Sequence, residues 1–143
     1  MYNVKIYPDA DVWLNFWKGE MIGMIPAFYF MEELLRKAML ERWVIVVSEL
    51  VKEEVLEKGV SPDDFDEKID ELESAGCVIE KVEVTKEDVR CALELKKERG
   101  IHLSDAIHAA IAKRVESTIV TRNIRHFKLV ADIVKVRKPE DLL

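Results

Sequence analysis

The sequence predicts an α/β protein in which a central parallel sheet lies between two layers of helices. Short apolar segments of strand length alternate along the chain with longer segments whose apolar residues recur at helical spacing. This alternation favours a parallel sheet, because the connection between parallel strands carries a helix across one face of the sheet. The 143 residues suffice for one substantial core, and no repeat or low-complexity segment divides them. We therefore expect a single domain over residues 1–143.

Five segments have the length and composition of strands. The first alternates apolar and polar residues, and the second is a continuous apolar run, which is typical of a strand buried on both faces. The predicted strands cover residues 4–7, 43–47, 77–79, 117–121 and 133–136.

Capping residues and glycines mark where the helices between these strands begin and end. Ser61 followed by Pro62 is a clear helix start, and Thr85 with Asp88 predicts a capping box. A first helical stretch ends near Gly19. The later helices are predicted over residues 26–42, 48–59, 61–76, 85–100 and 104–115.

Asp9 stands directly after the first predicted strand. Ligands of open α/β sheets bind outside the carboxyl ends of the strands, so a carboxylate at this position is well placed for chemistry. The alternative is a helix-capping role, since aspartate is a preferred N-cap. Asn123 follows the strand at 117–121 as Asp9 follows the first strand.

The helix predicted at 48–59 carries four glutamates, of which one faces the interior. At about 100° per residue, Glu49, Glu53 and Glu57 form one polar stripe, whereas Glu54 lies on the apolar arc. A buried carboxylate is costly unless a metal ion or a partner compensates for its charge. The alternative is a glutamate at the edge of the core whose carboxylate reaches solvent.

Asp105 lies in the first turn of the helix predicted at 104–115. The alanines and isoleucines of this helix leave little of its circumference polar, so we expect it to be buried nearly all round. An acid in the first turn also suits the helix dipole, and capping is therefore the alternative explanation for Asp105.

These segments together resemble the PIN domain, particularly the small VapC-type ribonuclease toxins. The resemblance is carried by VKIYPDADVWL, IVVSELVKEEV and LSDAIHAAIAKRVESTIVTRNIRHF, and it spans nearly the whole chain. It implies a Rossmann-like three-layer α/β/α fold that cleaves RNA with Mg²⁺ or Mn²⁺ held by an acidic cluster. By position in the family pattern, the ligands would be Asp9, Glu54 and Asp105, with Asn123 in the place usually taken by a fourth aspartate.

Two features depart from that pattern. Many family members have threonine or serine after the first aspartate and asparagine or serine next, whereas this chain has Ala10 and Asp11. Asn123 is the second departure, because an amide supplies an oxygen ligand but no charge. We therefore expect weaker metal binding unless Asp11 contributes to the site.

Basic residues concentrate in the last third of the chain, although the net charge is -6. The negative charge argues against a general nucleic-acid binder, yet a basic rim beside an acidic pocket would suit a nuclease. Ordinary solvated surface charge is the alternative. Thr121, Arg122 and Arg125 flank Asn123 and are the predicted substrate contacts. The other basic residues of this region are Lys113, Arg114, Lys128, Lys135, Arg137 and Lys138.

The segment 21–31 is too apolar for an ordinary surface loop. Its methionines and aromatic residues are typical of an adaptable protein interface, and core packing is the alternative. Toxins of the family that this chain resembles commonly dimerise and are held by an antitoxin. The resemblance therefore implies a homodimer and an antitoxin partner.

The composition points to a cytoplasmic protein. Cys77 and Cys91 have no metal-ligand spacing and lie in apolar contexts, which is typical of buried thiols in a reducing compartment. We find no apolar leader and no apolar run that approaches the length of a membrane span, so no membrane segment is expected.

Two other functions are compatible with the same residues. Asp9 and Asp11 after an apolar strand resemble the first motif of haloacid-dehalogenase-type phosphatases, as nucleophile and general acid/base. That interpretation lacks a late acidic pair for the metal and gives Glu54 no role. A degenerate PIN domain would instead use the pocket or the segment 21–31 only to bind a partner, and Asn123 is the residue that favours it.

Overall fold

The computed structural model describes residues 4–143, so the first three residues of the predicted domain lie outside the described part. Its centre is a sheet of five parallel strands, as the sequence predicts. The last strand lies at Val136–Arg137 and shares only one residue with the predicted segment 133–136, because residues 131–134 form a turn and a bend. A small antiparallel hairpin adds two strands that the pattern did not predict. In chain order the strands are β1 (Lys5–Pro8), β2 (Met21–Ile22), β3 (Ile25–Pro26), β4 (Val44–Ser48), β5 (Val78–Val82), β6 (Thr118–Val120) and β7 (Val136–Arg137).

The helices begin where the capping residues predict. The side chain of Ser48 accepts a hydrogen bond from the Val51 amide at 3.0 Å, and Thr85 and Asp88 form the predicted capping box. Short 3-10 turns cover Leu14–Phe16, Lys128–Val130 and Pro139–Leu142. The α-helices are α1 (Ala10–Trp13), α2 (Ala27–Leu40), α3 (Glu49–Glu57), α4 (Pro62–Ser74), α5 (Lys86–Arg99), α6 (Leu103–Arg114) and α7 (Ile124–Phe127).

The helices form two layers, one on each face of the sheet. The closest helix contacts join α1 to α3 and α3 to α4 in one group, and α5 to α6 and α6 to α7 in the other. The strand order is β5-β4-β1-β6-β7, so the chain moves from β1 to one edge and then crosses to the other side. Right-handed crossovers in opposite directions place their helices on opposite faces. The predicted three-layer α/β/α fold is confirmed.

This change of direction creates a crevice at the carboxyl ends of β1 and β6. The connection after β1 leads to β4 on one side, whereas the connection after β6 leads to β7 on the other. Such a switch point is where open α/β sheets bind their ligands. Asp9 follows β1 at this crevice, and Asn123 lies just beyond β6.

The helix α6 packs closely against its neighbours. Ala106, Ala109, Ile111 and Ala112 are almost completely buried, and α6 also contacts α5 along its length. Small side chains allow this close approach of one helix to another element. The first turns of α6 are therefore held firmly beside the crevice.

The segment 21–31 is divided between core and surface. On α2, Ala27 and Met31 are fully buried, which agrees with the core alternative for those residues. The β2–β3 hairpin and the outer face of α2 instead expose large apolar side chains, and Met24 between the two strands is 94% exposed. We call this exposed set the hairpin patch, and it consists of Met21, Met24, Ile25, Phe28 and Tyr29.

Both cysteines are free thiols, and Cys77 is buried. Among residues 4–143, no helix combines the length and the apolar character needed to cross a membrane.

Candidate metal centre

The predicted site residues line one small cavity at the carboxyl ends of β1 and β6. Asp9 directly follows β1, Asp11 lies in α1, Glu54 lies in α3, Asp105 lies in α6, and Asn123 directly precedes α7. The cavity has a volume of about 150 Å³. Its other lining residues are Ala10, His108, His126 and Phe127.

Asp9 is the most buried of these acids, with 7% of its surface exposed. Its Oδ1 accepts a hydrogen bond from the Val12 amide at 3.2 Å, so it caps α1 as well as lining the cavity. Burial raises the pKa of Asp9 to about 6; the Thr121 hydroxyl and the Val12 amide oppose the rise, and the charge of Asp11 adds to it. A buried carboxylate of this kind is stabilised in its ionised form by a bound cation.

Glu54 faces the cavity, whereas Glu53 faces solvent. The Glu54 side chain is 30% exposed, whereas the Glu53 side chain is largely open to solvent. This agrees with the inward direction of Glu54 that helical spacing predicts. The Oε1 atom of Glu54 lies 2.5 Å from Nε2 of His108. One oxygen of this carboxylate is therefore occupied by the histidine.

Asp105 lies in the first turn of α6 but does not occupy its N-cap. The helix begins at Leu103, and the N-cap position belongs to His102. Burial raises the pKa of the Asp105 carboxyl, while the nearby imidazoles of His126, His108 and His102 oppose the rise. An N-cap role thus does not account for Asp105, although its place in the first turn still suits the helix dipole.

Asp11 and Asn123, the two departures from the family pattern, contact each other. The side-chain amide of Asn123 donates a hydrogen bond to Oδ2 of Asp11. The backbone amide of Asn123 donates to the hydroxyl of Thr121 at 2.9 Å. Thr121 is fully buried, and its hydroxyl fixes the Asn123 backbone beside the cavity.

His108 lines the cavity but is not among the site residues predicted from the sequence. It is 2% exposed, and both of its ring nitrogens have partners: Nδ1 lies 2.7 Å from the Tyr7 hydroxyl and Nε2 lies against Glu54. A lone histidine in an apolar helix is usually part of the core. The available signal was its spacing, because His108 follows Asp105 by three residues and so shares its helical face.

The donor set at the cavity suits a hard divalent cation. Carboxylate and amide oxygens are the ligands that Mg²⁺ and Mn²⁺ prefer. Within residues 4–143, no three His, Cys, Asp or Glu side chains converge closely enough to bind one ion in their present conformations. One oxygen of Glu54 is engaged with His108, and Asp11 is engaged with Asn123. Binding of one ion by three of these groups would therefore require side chains in the cavity to move.

Comparison with known proteins agrees with the residue pattern. A family model of the PIN domain matches residues 6–133. The chain belongs to the PIN domain family. The PIN domain family consists of nucleases, which are hydrolases. A search of the curated proteins finds no match.

Several solved structures share the fold of this PIN domain. A toxin–antitoxin complex from Klebsiella pneumoniae aligns at 18% identity over 94% of this chain and 97% of that chain, with a TM-score of 0.65. VapBC2 from Rickettsia felis, bound to a DNA fragment from its promoter, aligns at 17% identity over 94% and 98%, with a TM-score of 0.67. PAE2754 from Pyrobaculum aerophilum aligns at 16% identity over 97% and 87%, with a TM-score of 0.56.

Arg122 of the PIN domain has a contact that the sequence did not predict. Its Nη1 atom donates to both carboxylate oxygens of Glu140, at 2.8 and 3.0 Å, and its guanidinium lies 5.4 Å from the ring centre of Phe30. Only 16% of the side chain is exposed. Arg122 therefore joins the C-terminal 3-10 turn to α2, which leaves Arg125 as the exposed arginine beside Asn123.

The other basic residues do not all surround the cavity. Arg114 is held by Asp88 through two hydrogen bonds of 2.9 and 3.0 Å. Lys113 and Lys135 line a separate cavity with Thr118, at the amino ends of the strands. Fewer than the eight basic residues predicted from the sequence therefore surround the acidic cavity.

A larger cavity of the PIN domain lies on the opposite face of α3. It has a volume of about 600 Å³ and is lined by Lys52, whose position on the helix is about 200° from Glu54. Lys52 pairs with Asp66 at 2.8 Å inside this groove. Its charges are mixed and partly paired, so the smaller acidic cavity is the better candidate for metal chemistry.

Proposed function

We propose that this PIN domain is a divalent-metal-dependent endoribonuclease that hydrolyses RNA phosphodiester bonds. The observation that carries the proposal is that Asp9, Glu54 and Asp105, from three separate elements, line one cavity at the switch point of the sheet. Membership of a nuclease family supports phosphodiester hydrolysis. The resemblance to VapC-type toxins supports RNA as the substrate.

Asp9, Glu54 and Asp105 would hold the Mg²⁺ or Mn²⁺ ion. Burial disfavours the ionised form of Asp9, and neighbouring carboxylates disfavour one another, so a cation in the cavity stabilises the charged forms together. When bound, such a cation lowers the pKa of water and offsets negative charge on a phosphodiester. The Val12 amide keeps the Asp9 carboxylate aimed into the cavity.

Asp11 and Asn123 act as a pair in this proposal. The Asn123 amide donates its hydrogen to Asp11, which leaves the side-chain oxygen of Asn123 free to serve as a ligand or to hold water. Asp11 supplies the negative charge that Asn123 lacks. The pair therefore carries one charge, as a single aspartate at position 123 would.

Arg125 is the proposed contact for the RNA backbone beside the cleaved bond. It is exposed, lies two residues after Asn123, and forms no ion pair within residues 4–143. Arg137 and Lys138 are also exposed and lie where β7 ends, on the same edge of the sheet as Asn123. Together these three residues would attract phosphates to an otherwise acidic molecule.

We further propose that the chain is the toxin of a toxin–antitoxin pair. The Klebsiella pneumoniae and Rickettsia felis structures that share its fold are a toxin–antitoxin complex and VapBC2 bound to promoter DNA. The hairpin patch offers an exposed apolar surface to an antitoxin or to a second copy of the chain in a homodimer. A cytoplasmic location follows from this role and from the free thiols.

The alternative functions have less support. A phosphatase mechanism uses Asp9 and Asp11 but gives no role to Glu54 or Asp105, although both line the cavity. A degenerate, partner-binding PIN domain gives no role to three carboxylates from separate elements that line one cavity.

The proposal is tested by cleavage of single-stranded RNA of mixed sequence with Mn²⁺ or Mg²⁺ and with chelator. Asp105→Asn is the informative variant, because Asp9 would be essential in a phosphatase as well. We expect metal-dependent cutting by the wild type and its loss in a folded Asp105→Asn protein. Glu116→Gln, an exposed acid at the other end of α6, serves as the control and should cut normally. Equal cutting by Asp105→Asn, or none by the folded wild type with metal, would contradict the proposal.

A further inference from the structure

A chain of buried hydrogen bonds ends on Glu54. The Ser48 hydroxyl lies 2.7 Å from the Tyr7 hydroxyl, which lies 2.7 Å from Nδ1 of His108. Nε2 of His108 lies 2.5 Å from Oε1 of Glu54. Tyr7, Ser48 and His108 are each exposed by 2% or less. Four side chains from β1, β4, α6 and α3 are thus joined into one path that reaches the cavity only at its last member.

The position of each hydrogen along this path follows from the groups at its two ends. An ionised Glu54 only accepts, so Nε2 of His108 carries the proton that lies between them. In a neutral imidazole the lone pair is then on Nδ1, which accepts from the Tyr7 hydroxyl. Tyr7 has no second proton to give, so the Ser48 hydroxyl donates to it. Ser48 also accepts from the Val51 amide at 3.0 Å, which fixes this end of the path to the start of α3.

This arrangement restrains a side chain that is otherwise free to rotate. Glutamate has three rotatable side-chain bonds, and about a third of the Glu54 side chain is open to solvent. With Oε1 held by His108, the second oxygen of the carboxylate is left for a cation. Ligating carboxylates commonly depend on such outer partners for their orientation.

We propose that His108 is a positioning residue for the metal centre, and that Tyr7 and Ser48 fix the tautomer and orientation of its ring. The inference rests on the proposed role of Glu54 as a metal ligand. His108 acts on the metal only through Glu54, and the Tyr7 hydroxyl acts only through His108.

The test is calorimetric titration of the full chain with Mn²⁺ alone, without RNA. His108→Leu removes both hydrogen bonds and keeps an apolar side chain, and we expect it to weaken Mn²⁺ binding about 10–100-fold. Tyr7→Phe removes one hydroxyl from the buried path and should weaken binding by a smaller factor. His108→Gln keeps a donor that can reach Glu54 and should recover part of the loss. Tyr29→Phe, at an exposed tyrosine of the hairpin patch, is the matched control for Tyr7→Phe and should bind as the wild type does.

A second readout separates positioning from packing. Nitrogen NMR of the His108 ring should find the proton on Nε2 in the wild type and a mixture of tautomers in Tyr7→Phe. If His108→Leu fails to fold, Tyr7→Phe and His108→Gln carry the test.

The outcomes distinguish this inference from the proposed function. A wild type that binds no Mn²⁺ would overturn both. A wild type that binds Mn²⁺ with the same affinity as folded Tyr7→Phe and His108 variants would overturn only the positioning role, as would a proton found on Nδ1 in the wild type.

Discussion

Asp9 has an environment that suits a metal ligand better than a structural role. It caps α1, but asparagine or serine would cap equally well without placing a charge in a buried cavity. Burial and the neighbouring Asp11 favour its protonated form, and the Thr121 hydroxyl and Val12 amide offset this only in part. The chain keeps a costly carboxylate where a cation would relieve the cost.

Because burial disfavours the ionised form of Asp9, we predict that the difference in stability between the wild type and Asp9→Asn depends on pH. The pKa of Asp9 is about 6 in the folded chain and 3.8 in a free aspartate, so the folded chain binds more protons between these pH values. Stability in chelator therefore falls as pH rises through this window, and the loss is complete above it. Asp9→Asn has no such loss, so above pH 6 it should be more stable than the wild type by up to about 3 kcal/mol. Urea unfolding from pH 4 to 8 measures the difference.

The matched control for this prediction is Asp70→Asn, an exposed acid in the middle of α4. Its unfolding free energy should follow that of the wild type at every pH. Parallel curves for Asp9→Asn and the wild type would show that the Asp9 charge costs nothing in the folded chain.

Asn123→Asp tests the pairing of Asn123 with Asp11. The added carboxylate should tighten Mn²⁺ binding by roughly tenfold, because affinity rises with the charge of the ligand set. Without metal the same change should lower stability, since a carboxylate replaces the amide that donates to Asp11. Calorimetry measures the first effect and urea unfolding in chelator the second. Unchanged Mn²⁺ affinity would place Asn123 outside the metal shell.

Single residues were predictable from the sequence where a periodic pattern applied to them. Helical spacing separated Glu54 from Glu53, and the position after β1 identified Asp9. Arg122 was not predictable, because its partner Glu140 lies 18 residues away in a 3-10 turn. His108 was missed because its two partners come from other elements, which spacing along one helix does not reveal.

Elements were predictable where capping chemistry marked their ends. The starts at Ser48, Ser61 and Thr85 all hold in the structure. The β2–β3 hairpin was not predicted, since its strands have two residues each and cannot show an alternating pattern. The apolar residues of the segment 21–31 are divided between the hairpin and α2. Composition alone therefore did not show which of them are exposed and which are buried.

Gly100 sets the turn between α5 and α6, and its substitution should destabilise the fold. Its φ of 70° lies in the left-handed region, and a Cβ there would meet no atom within 4 Å. Gly100→Ala should therefore cost about 1–2 kcal/mol from backbone conformation alone. Gly19→Ala is the matched control, because Gly19 has no positive φ and equally open surroundings. Equal unfolding free energies for the two variants would contradict the explanation.

At the scale of the whole molecule, the proposed function requires a chain with a net charge of -6 to attract a polyanion. Two of its exposed cations lie at opposite ends of the sheet. Arg125 lies near the acidic cavity, whereas Lys135 lines a cavity at the amino ends of the strands. Position rather than number of charges should then decide which cations matter for RNA.

This division predicts different effects for two charge removals. Arg125→Ala should raise KM for RNA. It should also reduce, by about 1, the slope of log KM plotted against the logarithm of the salt concentration. Lys135→Ala should change neither quantity. Steady-state cleavage over a range of salt concentrations provides the measurement, and equal effects of the two variants would exclude a specific role for Arg125.

The matched pair Glu54→Gln and Glu53→Gln tests the metal-dependent nuclease most directly. Both variants lose one negative charge from the same helix, but only Glu54 lines the cavity. The measurement is the rate of RNA cleavage with Mn²⁺ and with chelator for the wild type and both variants. We predict metal-dependent cleavage by the wild type and by Glu53→Gln, and none by folded Glu54→Gln. Cleavage by Glu54→Gln at the wild-type rate, or equal loss in both variants, would contradict this account of the site.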